Sequence, residues 1–196
     1  MKKPKKEEKP LSGAQDAYEW LQILIVALVT IILVFTFVGR ITPVVGESML
    51  PTLHEGDVML IRDIGYTDPQ PGDIVVLTKE FDAARGPIVK RIIAVEGQTV
   101  DIDFTAGAVY VDGQLLEEDY IRQPTYLEEG LEFPVTVPEG CVFVMGDNRN
   151  DSDDSRDPEL GPVDTRQILG RAVFLLFPGV TADTDKRDFG RIGPLT

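Results

Sequence analysis

IVKRIIAV, at residues 88–95, is the stretch of this 196-residue sequence from which the fold follows. β-Branched residues fill it, and they favour strands because their side chains pack well on a pleated surface. Lys90 and Arg91 stand side by side in the middle of the run. Neighbours on a strand point to opposite faces, so one of these two cations must face inward or toward a cleft. The stretch therefore predicts a strand that carries a cation into an unusual environment.

Short apolar runs on both sides of this stretch predict further strands. They lie at residues 58–61, 74–77, 141–145 and 168–177. The Asp112-Gly113 pair between apolar segments at 109–116 is a strong hairpin signal. Residues 117–140 are acidic and interrupted by prolines, which predicts a long loop with one short strand at 133–137. The sequence therefore predicts a mainly β domain.

The N-terminal region predicts a membrane anchor. Residues 20–38 contain no charged residue, and as a helix they would span about 28 Å, close to the hydrocarbon thickness of a bilayer. A cleaved signal would have a shorter apolar core and small residues at its end. A buried core helix would show a polar stripe. We therefore expect an uncleaved transmembrane helix over residues 18–40, preceded by a basic tail over residues 1–17.

The charge of the chain is unevenly distributed. The net charge is −14, yet residues 1–40 carry six basic and four acidic residues, so the remainder carries −16. Lysines before an anchor predict a cytoplasmic N-terminus at the plasma membrane, with residues 41–196 outside. Such an acidic body is a poor match for nucleic acid, since phosphates demand a cationic surface. We therefore expect the chain to interact with the lipid bilayer and not with nucleic acid.

Cysteine and histidine each occur only once in the sequence. Cys141 excludes an intramolecular disulfide, and its apolar surroundings in sequence predict a small core residue. His54 limits histidine chemistry to a single residue.

The segment GESMLPT, at residues 46–52, predicts a turn because Pro51 fixes its own φ and restricts the residue before it. A turn can present the Ser48 hydroxyl to a substrate. A serine nucleophile needs a group that accepts its proton, either a histidine or a neutral lysine. His54 is one candidate, although a solvated loop histidine is the plainer interpretation. Lys90 is another, since burial would lower its pKa toward neutrality, whereas a lysine at a strand edge would stay charged.

The segment GDNRNDSDDSR, at residues 146–156, has three interpretations. It can be an acidic solvated loop. A calcium loop is a second possibility, but Arg149 replaces an oxygen ligand of the EF-hand pattern. The third is a buried brace in which Arg149 and Arg156 form bidentate hydrogen bonds with neighbouring carboxylates. A brace of this kind could also aim a hydroxyl at the lysine.

Together these segments resemble the type I signal peptidases, the membrane-bound serine–lysine peptidases, in their compact Gram-positive style. The matching motifs are SMLPT at 48–52, GDIV at 72–75, KRII at 90–93 and the segment 146–156, in that order. The resemblance runs from the basic tail to about Phe177. It implies an antiparallel β-sheet catalytic domain with one N-terminal transmembrane helix.

The resemblance also implies roles for individual residues. Ser48 corresponds to the nucleophile and Lys90 to the general base. Gly46 stands where some members carry a serine that helps to bind the oxyanion. The supporting residues that match are Ser152, which positions the lysine, the ion pair Asp154 and Arg156, and Asp147 and Arg149. The substrate-pocket positions that match, with ordinary core as the alternative, are Val44, Met49, Leu53 and Val89.

The implied activity is removal of signal peptides from secretory preproteins. Cleavage would follow small residues in an Ala-x-Ala pattern and proceed through an acyl-enzyme, with no metal or organic cofactor. One alternative is another serine–lysine peptidase, such as a self-cleaving repressor domain or an organelle inner-membrane peptidase. The other is a non-catalytic, membrane-tethered β-domain that acts as a binding or assembly module.

Overall fold

The computed structural model describes residues 13–37, 39–78, 86–181 and 186–195. The chain divides into two compact units, residues 1–38 and residues 39–196. The first unit contains helix α1, Gly13–Phe37. Within α1, the segment Gln15–Leu33 has a mean hydropathy of 1.8 and is long and apolar enough to cross a membrane.

Helix α1 differs from the prediction at both ends. It begins at Gly13, before the uncharged stretch, and Arg40 already belongs to a strand. A helix can extend past the apolar stretch because Ala, Gln and Glu are good helix formers. The lysines of the predicted basic tail fall in residues 1–12, which lie outside the described residues.

The second unit is built from short strands. Their bounds are β1 Arg40–Pro43, β2 Val58–Arg62, β3 Ile74–Leu77, β4 Ile88–Val95, β5 Thr99–Asp103, β6 Ala108–Val111, β7 Gln114–Leu115, β8 Val135–Thr136, β9 Cys141–Met145, β10 Val163–Asp164, β11 Ile168–Phe177, β12 Val180–Thr181, β13 Lys186–Arg187 and β14 Gly193–Pro194.

The strand pairs recorded in the described ranges are antiparallel. The largest sheet has the order β1-β2-β11-β3-β4-β9-β10, with β14 added on β11. A four-stranded sheet follows the order β7-β6-β5-β8, and β12 pairs with β13. The predicted mainly β, antiparallel class with an N-terminal apolar helix is confirmed.

Strand β4 lies inside the large sheet, between β3 and β9. Its Ile93 packs in a hydrophobic cluster with Val100 of the four-stranded sheet and Phe143 of β9. Its neighbour Ile92 packs in a different hydrophobic cluster. Both faces of β4 are therefore covered. A strand covered on both faces has a nearly continuous apolar sequence, which explains the run at residues 88–95. Lys90 and Arg91 are consequently inserted into the core of the fold.

Cys141, predicted as a core residue, is only half-buried. It begins β9 and packs against the edge of the second cluster. The residues that follow it in the strand are fully buried. The apolar run was therefore interpreted correctly as a strand, but its first residue lies at the boundary of the core.

The C-terminal residues are attached to the loop that follows Ser48. Arg191 donates two hydrogen bonds to the fully buried carboxylate of Asp57, at 3.0 and 2.6 Å, and one to the Thr52 carbonyl, at 3.1 Å. Asp57 also accepts the Gly179 N–H at 2.6 Å. The C-terminal segment thus closes around one buried carboxylate.

We predict that Arg191→Ala lowers the free energy of unfolding by about 2 kcal/mol, because it leaves a buried carboxylate without its cation. Denaturation of the full chain in detergent micelles would measure this loss. Arg166→Ala is the matched control, since Arg166 is paired with Asp164 on the surface with 87% of its side chain exposed. Equal effects of the two substitutions would contradict the structural role of Arg191.

Candidate active site

Lys90 is buried with 3% of its surface exposed. It faces Val75 across the β3–β4 ladder, and its Nζ donates a hydrogen bond to Ser152 Oγ at 3.0 Å. Burial disfavours the charged form and lowers the pKa of Lys90, and the opposing attraction of Asp154, Asp153 and Glu129 does not cancel this effect. The lysine can therefore be neutral at a pH where a solvated lysine is charged.

A chain of hydrogen bonds continues from Ser152 into the protein. Ser152 Oγ donates to Asp154 Oδ2 at 2.9 Å. Arg156 donates hydrogen bonds from Nε and Nη2 to the two carboxylate oxygens of Asp154, each at 2.8 Å. Burial alone would raise the pKa of Asp154, but the charge and hydrogen bonds of Arg156 outweigh it and hold that pKa below its usual range. Asp154 is thus an anion that fixes the Ser152 hydroxyl beside the lysine.

Ser48 lies in a half-buried turn. The Leu50 N–H donates to the Glu47 carbonyl at 3.1 Å, which closes the turn. The Ser48 carbonyl accepts the Asn148 N–H at 2.9 Å, and Asn148 Nδ2 donates to the Glu47 carbonyl at 3.2 Å. These bonds attach the serine turn to the loop at residues 146–156, which also carries Ser152.

Gly146 shows how closely these parts approach one another. A Cβ at this position would lie 2.2 Å from Ser152 Oγ and 2.5 Å from the Ser48 carbonyl oxygen. The absence of a side chain therefore lets the serine turn and the partner of Lys90 meet at one point. Ser48, Ser152 and Lys90 come from distant parts of the sequence and are brought together here.

Arg91, the neighbour of Lys90, is also buried, with 2% of its surface exposed. Its Nε and Nη2 each lie 2.9 Å from a carboxylate oxygen of Asp147, and its guanidinium stacks 4.1 Å from the ring centre of Tyr120. Thr52 Oγ1 donates to the same carboxylate. The sequence predicts at least one inward cation; the structure buries both and gives each its own partner.

Arg149 is fully buried and pairs with both carboxylate oxygens of Glu118. It also donates to Thr125 Oγ1 at 3.0 Å and to the Gly146 carbonyl at 2.9 Å. With Arg156 buried as well, the loop at residues 146–156 matches the brace interpretation. A solvated acidic loop is the wrong interpretation of this segment, although Asp151 and Asp153 do face solvent.

Sequence reasoning missed the carboxylates from residues 117–131 that complete the site. Glu118 pairs with Arg149, and Glu129 approaches Arg156 at 2.8 Å. The Arg156 Nη1 also donates to the Leu127 carbonyl at 3.0 Å. The signal was present in the sequence as an acidic segment, because buried arginines need anions. Its spacing does not indicate which acidic residue meets which arginine.

The four pocket candidates share one hydrophobic cluster. Val44, Met49 and Leu53 are exposed by 3% or less, and Val89 is partly buried against them. His54 is half-buried, and its backbone N–H donates to Asp57 Oδ2 at 2.8 Å. The histidine is therefore less solvated than the sequence predicts, because Asp57 closes the turn around it.

Comparison with known proteins adds evidence of a different kind. A family model described as signal peptidase, peptidase S26, matches residues 17–177. A probable signal peptidase I-1 from Synechocystis sp. is 40% identical over 169 residues, which cover 82% of this chain and 82% of the relative. A signal peptidase I from Bacillus licheniformis is 34% identical over 181 residues, which cover 88% of this chain and 95% of the relative.

The crystal structure of a signal peptidase I from Enterococcus faecalis V583 is 30% identical, covers 54% of this chain and 97% of that chain, and gives a TM-score of 0.43. The family model spans most of this chain, and two relatives above 30% identity cover more than two thirds of it. The chain therefore belongs to the signal peptidase family, peptidase S26, whose signal peptidase I members are serine endopeptidases.

Proposed function

We propose that this chain removes signal peptides from secretory preproteins, with Ser48 as nucleophile and Lys90 as general base. The observation that supports this proposal best is the buried Lys90, which is hydrogen-bonded to Ser152 beside the Ser48 turn. A nucleophilic serine needs a nearby base that is neutral before reaction, and desolvation supplies a neutral lysine.

The reaction proceeds in two stages. Neutral Lys90 accepts the proton of Ser48 Oγ while that oxygen attacks the carbonyl carbon of the scissile peptide bond. The lysine ammonium then gives its proton to the leaving nitrogen, the C–N bond breaks, and the signal peptide remains as an ester on Ser48. Water attacks the ester with Lys90 again as base. The acyl group leaves with a carboxyl end, and Ser48 recovers its proton.

Ser152, Asp154 and Arg156 act as positioning residues in this scheme. Lysine has a long, freely rotating side chain, so a fixed hydrogen-bond acceptor is needed to hold Nζ in one place. Ser152 supplies the acceptor because its hydroxyl hydrogen points to Asp154, which leaves the oxygen lone pairs free to accept from Lys90. Asp147 and Arg149 hold the beginning of the loop in place through their ion pairs with Arg91 and Glu118.

The substrate binds as an extended segment with small side chains before the cleaved bond. We assign the shallow apolar site for these side chains to the surface above the cluster of Val44, Met49, Leu53 and Val89, of which Val89 is the partly buried member. Shape decides the selection, since a shallow apolar site admits alanine and excludes larger groups. Val89 precedes Lys90 on β4, so a substrate segment bound beside this part of the strand would run close to the base.

We predict that Ser48→Ala and Lys90→Met each reduce cleavage of a preprotein with an Ala-x-Ala site by about 10³-fold or more, because each removes a group that takes part in the chemistry. The assay uses the full chain in liposomes. Lys186→Met, which changes an exposed lysine in β13, is the matched control and should cleave like wild type.

Two results would contradict this assignment. Activity that survives in Lys90→Met but is lost in His54→Ala would move the base to His54. A folded wild-type chain that binds the preprotein without cutting it would instead indicate a non-catalytic binding module.

Helix α1 anchors the enzyme to the plasma membrane, with the N-terminus in the cytoplasm and the catalytic unit outside, where cleavage sites emerge. The lysine-rich residues before α1 and the acidic residues after it support this orientation. Protease added to intact spheroplasts should therefore digest residues 39–196. Protection of these residues until the membrane is broken would refute the orientation.

A further inference from the structure

Glu129 is a nearly buried carboxylate beside the proposed lysine site, with 9% of its side chain exposed. Its Oε2 accepts the Asp154 N–H at 3.1 Å, and its Oε1 lies 2.8 Å from Arg156 Nη2. Glu129 and Asp154 therefore share one arginine. Among the described residues, Arg156 is the cation that contacts both anions. Lys90 contributes no positive charge to them while it is neutral.

The two carboxylates are held unequally. Asp154 has two hydrogen bonds from Arg156 and others from Ser152 and the Gly146 N–H. By contrast, Glu129 Oε1 is buried and forms no hydrogen bond with the described residues. The reason is that Arg156 Nη2 already donates to Asp154 Oδ2 at 2.8 Å and to the Ser152 carbonyl at 3.3 Å. An –NH₂ group of arginine has only two hydrogens to give.

This difference in hydrogen bonding makes Glu129 easier to protonate than Asp154. Burial has the largest effect on the pKa of Glu129 and raises it, and the charge of Asp154 raises it further. Arg156 and the hydrogen bond from the Asp154 N–H lower this pKa, but the net result is a rise to about 7. The charge of Asp153 also raises the pKa of Glu129. Asp154, in contrast, stays ionised.

The charge of Glu129 reaches Lys90. Asp154, Asp153 and Glu129 each favour the protonated lysine, whereas Arg156 disfavours it. Because the pKa of Asp154 is held below its usual range whereas that of Glu129 is raised to about 7, the charge of Glu129 can change near neutral pH. An ionised Glu129 stabilises the lysine ammonium that forms when Ser48 is deprotonated, and a neutral Glu129 does not.

We propose that Glu129 is a positioning residue of this site, the second anion on Arg156, and that its charge sets how strongly Lys90 holds a proton. The inference rests on the proposed role of Lys90 as the base. It assigns a function to residues 117–131, which fold over the loop at 146–156 and deliver the carboxylate. The Leu131 N–H bond to the Arg156 carbonyl, at 2.9 Å, fixes the chain just after Glu129.

The test is the pH profile of kcat/KM for cleavage of an Ala-x-Ala preprotein by the full chain in liposomes. Activity is lost at low pH because Lys90 becomes protonated. Glu129→Gln removes an anion that favours protonated Lys90, so the lysine pKa falls. The acidic limb should therefore move to lower pH by about 0.5–1 unit. The rate on the alkaline plateau should fall as well, since a lysine of lower pKa is a weaker base.

Three further variants make the test specific. Glu128→Gln removes the same charge from the exposed neighbouring residue and should leave the limb in place. Glu129→Asp retains the charge and should keep the limb near its wild-type position. Glu129→Met also removes the charge and leaves no polar group, so it should move the limb to lower pH as well. It replaces Glu129→Gln in the test if the Gln variant does not fold.

A lower plateau with an unmoved limb in the folded Glu129 variants would overturn the inference, since it would reveal a purely structural role. An equal shift in Glu128→Gln would also overturn it, because the effect would then be one of general surface charge. If wild type does not cleave, or if Lys90→Met keeps its activity, the proposed function itself fails, and this outcome is recognisable before any Glu129 variant is measured.

Discussion

The structure depends on a lysine that is buried in the middle of a β-sheet. Lys90 occupies a position of β4 that a strand covered on both faces would normally give to an apolar residue. Solvation of an ammonium is lost there, and the one hydrogen bond that Lys90 makes with the described residues, to Ser152, does not replace it. The neutral form avoids this cost, and a neutral lysine is a base. The fold therefore favours the neutral form of Lys90 by placing the residue where its charge is unfavourable, which supports its proposed role as the base.

The same region contains three buried arginines, which cannot become neutral in this way. Arg91, Arg149 and Arg156 are each exposed by 2% or less, and each lies against a carboxylate. Removal of one partner from such a pair leaves a buried charge and is strongly destabilising. The ion pairs thus specify one arrangement of the strand, the loop at residues 146–156 and the segment at residues 117–131. Among the described residues, Lys90 is the cation of this group whose hydrogen-bond partner is a hydroxyl and not a carboxylate, and this difference supports its proposed role as the base.

The sequence was informative wherever one local rule determined the outcome. The β3, β4, β9 and β11 strands and the Asp112-Gly113 hairpin follow from apolar runs and turn residues, and their bounds match closely. Very short strands such as β10 and β14 carry no pattern, because pairing with a longer neighbour creates them. The sequence also indicated that one of the two neighbouring cations, Lys90 or Arg91, must face inward or toward a cleft. It did not indicate Glu118 and Glu129, since contacts between distant segments depend on tertiary packing. The attachment of Arg191 to Asp57 was missed for the same reason.

Titration of Lys90 tests directly whether burial makes this lysine neutral. Lysine labelled with ¹³C at Cε, in the full chain in detergent micelles, gives one signal per lysine, and Lys90→Met identifies the signal of Lys90. We expect this signal to titrate well below the ordinary lysine value of about 10.4, while the exposed lysines titrate near it. A Lys90 signal that titrates together with the exposed lysines would show that burial does not make Lys90 neutral.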